Sequence, residues 1–136
     1  SKGGEIVHIS GKVLGKHKGI ESYTVGQRRG IGVPWKEPLY VIEKDAINNR
    51  IIVGEKEYLF TDRVSAINVN FLVPLENWGR IEVQGRYKQK PIKAKEYHFD
   101  GKSLTVIFEE KVPKFAAGQV LAIYKDDILL GGGVIE

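Results

Sequence analysis

The 136-residue chain has no cysteine. Disulfides and thiolate metal sites are therefore excluded, and the composition suits a cytosolic setting. No apolar run approaches the ~20 residues that cross a membrane, and no signal-peptide pattern opens the chain, so no membrane partner is expected. Heptads, internal repeats and low-complexity stretches are missing too, which removes coiled-coil and repeat architectures. The three histidines, His8, His17 and His98, lack ligand-like spacing, and no nucleophile–base pair stands out; no metal site and no catalytic residue is expected. Charge of one sign hardly dominates: 21 Lys and Arg against 17 Asp and Glu leave +4, a mild bias towards anionic partners. What is present, 42% hydrophobic and 28% charged residues, describes a soluble globular protein, sized for one ordinary domain or two small ones.

Glycine is plentiful, and it concentrates. Residues 17–33, HKGIESYTVGQRRGIGV, hold Gly19, Gly26, Gly30 and Gly32 among Lys18, Arg28 and Arg29. Backbone without Cβ turns sharply or lets another molecule approach, and guanidinium forks match phosphate oxygens. Ser22, Tyr23 and Thr24 are placed to open a short helix, capped by Ser22 and stopped by Gly26 or Gly30. His17, beside Lys18, reads as a hydrogen-bonding member of the segment. Two readings stay open from the residues alone. One is an anion-facing surface, with RNA phosphate as a candidate; the other is a solvated loop whose arginines pair with local carboxylates.

The flanking sequence predicts a mainly β fold in two parts. Residues 1–60 form a small hairpin-rich domain with a short helix around the glycine-rich basic segment. Its hairpins are EIVHI and KVL about Ser10-Gly11, then LYVIEKDA and RIIVG about Asn48-Asn49, whose residues tolerate left-handed turn backbone. Pro34 and Pro38 bracket Trp35 and end any helix begun near Tyr23. The expected core is Ile6, Val7, Ile9, Val13, Leu14, Tyr40, Ile42, Ile51 and Val53. Residues 61–136 alternate with period two. Ile67, Val69 and Phe71, then Ile81, Val83 and Tyr87, then Leu104, Val106 and Phe108 point to one face, predicting an antiparallel β-barrel without exposed edges.

Within that barrel, alternation puts Gln84, Arg86 and Lys88 on the outward strand face, with Lys90 and Lys93 following across Pro91. A basic row of this kind tracks a phosphate backbone, or is simply a solvated face. The same alternation turns the ring of Tyr87 towards the core with its hydroxyl at the rim, the alternative being that strand twist turns it outward to stack on a base. Gly131-Gly132-Gly133 has no Lys-Ser or Lys-Thr after it and reads as a bulge or close strand crossing rather than a phosphate loop. Asp100-Gly101-Lys102-Ser103 reads as a hairpin turn.

Three ordered blocks carry a family resemblance. HKGIESYTVGQRRGIGV with PLYVIEKDAINNRIIVG, then GRYKQKPIKA, then AGQVLAIYKDDILLGGGVIE together resemble the bacterial tRNA-specific 2-thiouridylases (the MnmA/TrmU family), which place sulfur on the wobble uridine of certain tRNAs. The resemblance covers essentially the whole chain. It implies a C-terminal fragment made of the central and β-barrel domains, with Ser1 falling at the family's linker into its second domain. The adenylation domain, which holds ATP with Mg and two reactive cysteines, is then missing from the sequence, so the fragment is expected to be inactive alone. The resemblance further implies tRNA as partner, along with the parent's own adenylation domain and a sulfur-carrier protein. Arg86 and Tyr87 match the family's tRNA-contacting Arg-Tyr pair, and Gln119 matches a tRNA-contacting glutamine. Lys88 stands where many relatives carry a second Arg, which keeps charge but loses the bidentate fork. Lys18, Arg28 and Arg29 join them as expected tRNA-binding residues. The alternative expectation is a scaffolding β module that docks on the catalytic domain without touching RNA.

Overall fold

The computed structural model describes residues 2–136, so the expectation attached to Ser1 lies outside the described residues. Two compact units divide the chain, the first ending at Phe60 and the second running Thr61–Glu136.

In the first unit, β1 (Gly4–His8) and β2 (Val13–His17) form one antiparallel hairpin, and β3 (Tyr40–Asp45) and β4 (Arg50–Gly54) form another. Gly11 (φ 98°) and Asn49 (φ 53°) take the left-handed turn positions. The hairpins join through parallel pairing of β1 with β4, Ile6 opposite Ile51, which gives the order β2-β1-β4-β3. β2 and β3 are therefore opposite edges. The chain between them must cross one face of the sheet, and that chain is the glycine-rich segment. Ile31 and Leu39 from the crossing pack on Ile6, Val41, Ile51 and Val53, with Ile20, Tyr23, Val33 and Trp35 around them. Two expected core residues are corrected: Ile9, in the turn after β1, and Val13, at the first position of β2, are both exposed. The helix expected to open at Ser22 is corrected as well. A single 3-10 turn, Ile20–Ser22, ends there, and Tyr23 is already extended. Gln27 accounts for this: its side chain accepts from the Thr24 N–H at 3.0 Å, while its backbone pairs with Val41, so the local bonds a helix needs are taken.

The β3–β4 turn carries its own clamp. Asp45 accepts from the Asn48 side chain and backbone and from both Nε and Nη2 of Arg50. The Asn48 side-chain bond first, then the Arg50 guanidinium, draws its carboxyl from 3.8 down to about 2. A depressed carboxylate stabilises fully above its ordinary value and loses that contribution as pH falls towards the folded one. Asp45→Asn is therefore expected to lower the melting temperature near neutrality, with the gap to the unaltered chain closing between pH ~4 and ~2. Thermal melts of both chains across that range check it; a gap that stays constant contradicts the clamp.

The second unit is a closed six-stranded antiparallel barrel. Its strands are β5 (Phe60–Phe71), β6 (Glu82–Gln84), β7 (Ile92–Phe99), β8 (Leu104–Pro113), β9 (Val120–Lys125) and β10 (Ile128–Ile135), in the order β10-β5-β8-β7-β6-β9. Alternation fills its interior with Val64, Ala66, Ile81, Val83, Leu104, Val106, Phe108, Leu121 and Ile123. Trp78 sits fully buried among them and donates Nε1–H to the Val73 carbonyl at 2.8 Å. Ile67 is corrected to the opposite face from Val69 and Phe71. Asn68 takes φ 53°, the pairing with β10 slips beside it, and a bulge inverts the alternation of β5. Gly131–Gly133 lie in β10, where Cβ atoms would press on the backbone carbonyls of Asn70, Leu121 and Ile67. They are close strand contacts. Asp100–Ser103 is the β7–β8 turn, closed by Asp100 Oδ1 on the N–H groups of Lys102 and Ser103.

Candidate functional site

Two sets of side chains were expected to meet a polyanion, and each unit carries one. In the first unit the crossing segment is fixed from beneath. His17 is buried: its Nδ1 accepts from the Gly19 N–H at 3.0 Å, so Nε2 bears the proton and donates to the Asn49 carbonyl at 2.9 Å. Gln27 ties the Thr24 N–H to the Arg29 carbonyl, and Gly26 and Gln27 bond Val41 of β3. Lys18, Arg28 and Arg29 are all exposed, and among the described residues none of them forms an ion pair. The reading in which the arginines pair with local carboxylates is thus overturned.

One group that no sequence pattern singles out lies beside the same segment. His8 Nε2 meets Glu55 Oε1 at 2.8 Å, Trp35 Nε1–H donates to Glu55 Oε2 at 3.1 Å, and the His8 and Trp35 rings stack at 4.3 Å. These bonds, His8 first, lower the Glu55 pKa. The signal was a Trp between two prolines, but its partners come from 20 and 27 residues away. The network fixes Trp35 as one wall of a shallow cleft of about 200 Å³, lined also by Arg28, Gly30, Gly32, Glu37 and Pro38.

In the barrel the expected strand-face row is corrected. β6 ends at Gln84, and residues 85–90 form a loop rather than a continued strand. Gly85 lies directly beneath Phe115, where a Cβ would clash with the ring. Gln89 then closes the loop: Oε1 accepts from the Gly85 N–H at 2.8 Å, and its own N–H donates to the Arg86 carbonyl at 3.1 Å. Gln84 Nε2 bonds the Gln89 carbonyl at 2.7 Å, so it faces the loop. Lys88 turns left-handed at φ 63°. The inward orientation expected for Tyr87 is overturned too. Its ring is 90% exposed at the tip of this turn, with Lys88 Nζ 5.7 Å from its centroid.

Arg86 does not stand free. Its Nη2 donates to the Lys114 carbonyl, tying the loop to the segment that follows β8. That segment carries Phe115 against Gly85 and then the turn containing Gln119, whose carbonyl accepts from the Ile135 N–H at 2.8 Å. The side chain of Gln119 is exposed. Arg86, Tyr87 and Lys88 thus share one loop braced on the Lys114–Gln119 stretch. Lys90 and Lys114 are exposed on the same two segments, and among the described residues neither has a carboxylate partner. Lys114 was not anticipated, since only the Arg86 tie brings it to this loop.

Comparison with known proteins follows the same division. Residues 1–55 match the family model described as tRNA methyl transferase PRC-barrel domain, and residues 61–135 match the aminomethyltransferase beta-barrel domain model. The chain is 60% identical to a tRNA-specific 2-thiouridylase of Persephonella marina over 97% of its length, covering 38% of that protein. It is 47% identical to the tRNA-specific 2-thiouridylase of Aquifex aeolicus, covering 98% of this chain and 37% of the relative. A Gloeothece citriformis protein of the same description is 40% identical, with 99% and 39% covered. The chain therefore spans somewhat over a third of the length of these relatives.

Proposed function

Because this chain belongs to the tRNA-specific 2-thiouridylase family, we propose that it is the tRNA-binding part of a tRNA-uridine 2-sulfurtransferase, with the β6–β7 loop as its principal RNA contact. The observation that carries this reading is the fully presented ring of Tyr87, flanked by Arg86, Lys88 and Lys90. An exposed aromatic among cations suits unpaired RNA: the ring stacks on a base while ammonium and guanidinium groups hold phosphates. Lys18, Arg28, Arg29 and Gln119 supply further contacts. Phosphate contacts fix register, and the sulfur chemistry belongs to the remainder of the longer enzyme.

ATP with Mg finds no fit among these residues. The three consecutive glycines are strand residues paired on both sides, and among the described residues no cluster of metal-ligating side chains occurs. Both would be held by the rest of the parent, as would the site for a sulfur carrier. A second reading, docking on the catalytic domain, is favoured by Val120, Ile128 and Leu129, exposed on β9 and β10.

The deciding experiment is a gel-shift titration of tRNA. Tyr87→Ala removes the stacking surface and is expected to weaken binding by roughly 1–3 kcal/mol, while the melting temperature stays put because the ring touches no core. Equal affinity for Tyr87→Ala and the unaltered chain would abandon the loop as the contact. Absence of any tRNA retention would leave the docking reading.

A further inference from the structure

The cleft on the first unit has features that phosphate contacts alone leave unused. It is walled by an aromatic ring, lined by glycine backbone and apolar side chains, and bordered by one cation and one carboxylate. Trp35 is held in place rather than loosely exposed: His8 covers one face, Glu55 fixes its N–H, and Lys12 Nζ stands 5.8 Å from the ring centroid. Gly30 (φ 78°) and Gly32 (φ 73°) alternate in hand with Ile31 between them. Among the described residues, the N–H groups of Gly30, Ile31 and Gly32 have no protein acceptor. Successive amides in such a turn form a concavity that accepts an anion. Beside it Arg28 is exposed and free of carboxylate partners.

We infer that this cleft receives one unpaired nucleotide, its phosphate at Arg28 and the Gly30–Gly32 amides, its base against Trp35 with its edge towards Glu37. The space of about 200 Å³ accommodates a single base, with the ribose and phosphate along its open side at Arg28 and the glycines. A carboxylate accepts only, so it selects a base edge that donates. Guanine offers N1–H and an amino group side by side, whereas uracil presents a single donor between two acceptors. The inference rests on the RNA-binding reading above and assigns the crossing segment its own subsite within it.

Trp35 reports its own occupancy. Trp78 is fully buried, so added nucleotide acts on the emission of Trp35 alone. Titration of the whole chain with GMP, UMP and tRNA is expected to quench Trp35 emission with GMP and tRNA and far less with UMP. Arg28→Ala is expected to weaken GMP about tenfold through loss of one charge-assisted contact. Glu37→Gln is expected to reduce the preference for GMP over UMP while leaving the melting temperature unchanged. Quenching by tRNA without GMP supports RNA as the source of the nucleotide; quenching by GMP without tRNA supports a free nucleotide and overturns the RNA assignment. If tRNA is retained in a gel shift but Trp35 emission does not change with any ligand, the subsite is wrong and the RNA-binding reading survives. A Glu37→Gln variant with undiminished GMP preference overturns the placement of the base edge.

Discussion

Trp78→Ala is expected to cost the barrel about 3–5 kcal/mol, the range for removing a fully buried large aromatic. Two losses combine in a small barrel. The indole packs against Phe71 at 5.5 Å and Tyr97 at 5.9 Å between centroids, so its removal opens a cavity that two other rings line. Its Nε1–H leaves, and the Val73 carbonyl loses its partner beside the core. The barrel is also small, and a small core has little total stability from which to lose this much. Melting is expected to shift down by roughly 12–40 °C, read by near-ultraviolet dichroism. Trp78→Phe keeps most of the ring bulk and gives up the hydrogen bond, so its shift is expected to be less than half as large. Similar melting temperatures for Trp78→Ala and the unaltered chain would mean that the indole is not the keystone its burial indicates.

Salt is expected to move tRNA affinity more than any single surface substitution does. The β6–β7 loop and its brace present Arg86, Lys88, Lys90 and Lys114, all exposed. Four phosphates neutralised at about 0.7–0.9 each contribute about −2.8 to −3.6 to the slope of log K against log salt, so binding weakens at least ~50- to 150-fold from ~50 to ~200 mM, and contacts by Lys18, Arg28 and Arg29 steepen it further. Lys114→Gln is expected to make that slope shallower by almost one contact. Arg86→Ala has a different signature, because Arg86 also holds the loop to the Lys114 carbonyl. It is expected to lower affinity by more than one phosphate contact accounts for, and Arg86→Lys to restore the charge without the brace. Filter-binding isotherms at four or five salt concentrations for the three variants test this. A slope near zero would rule out phosphate contact as the source of affinity.

Much of this was legible because it is local. Alternation over Leu104, Val106 and Phe108 needs only the period of a strand, and Gly11 and Asn49 announce their turns by the backbone they tolerate. Alternation failed for Tyr87 and Ile67 where a distant contact intervened. Phe115, thirty residues downstream, packs against Gly85 and helps end β6; the Asn68 bulge inverts β5. Past either point, counting by twos assigns every side chain to the wrong face.

By itself the sequence determined a chain without thiol chemistry or a membrane-length apolar run, two β-rich halves divided near residue 60, a crowding of glycine and arginine in one short segment, and the family blocks. Tertiary structure alone decided where that segment runs. Only the order β2-β1-β4-β3 makes it a crossing from edge to edge, and only the crossing lays Arg28, Trp35 and Glu37 around one cleft. Likewise only the Arg86–Lys114 tie gathers cations from two stretches of the barrel onto one loop. The physical reason is common to both cases. Strand order and side-chain convergence depend on pairings between residues far apart in the chain, and those pairings leave no periodic trace in the sequence.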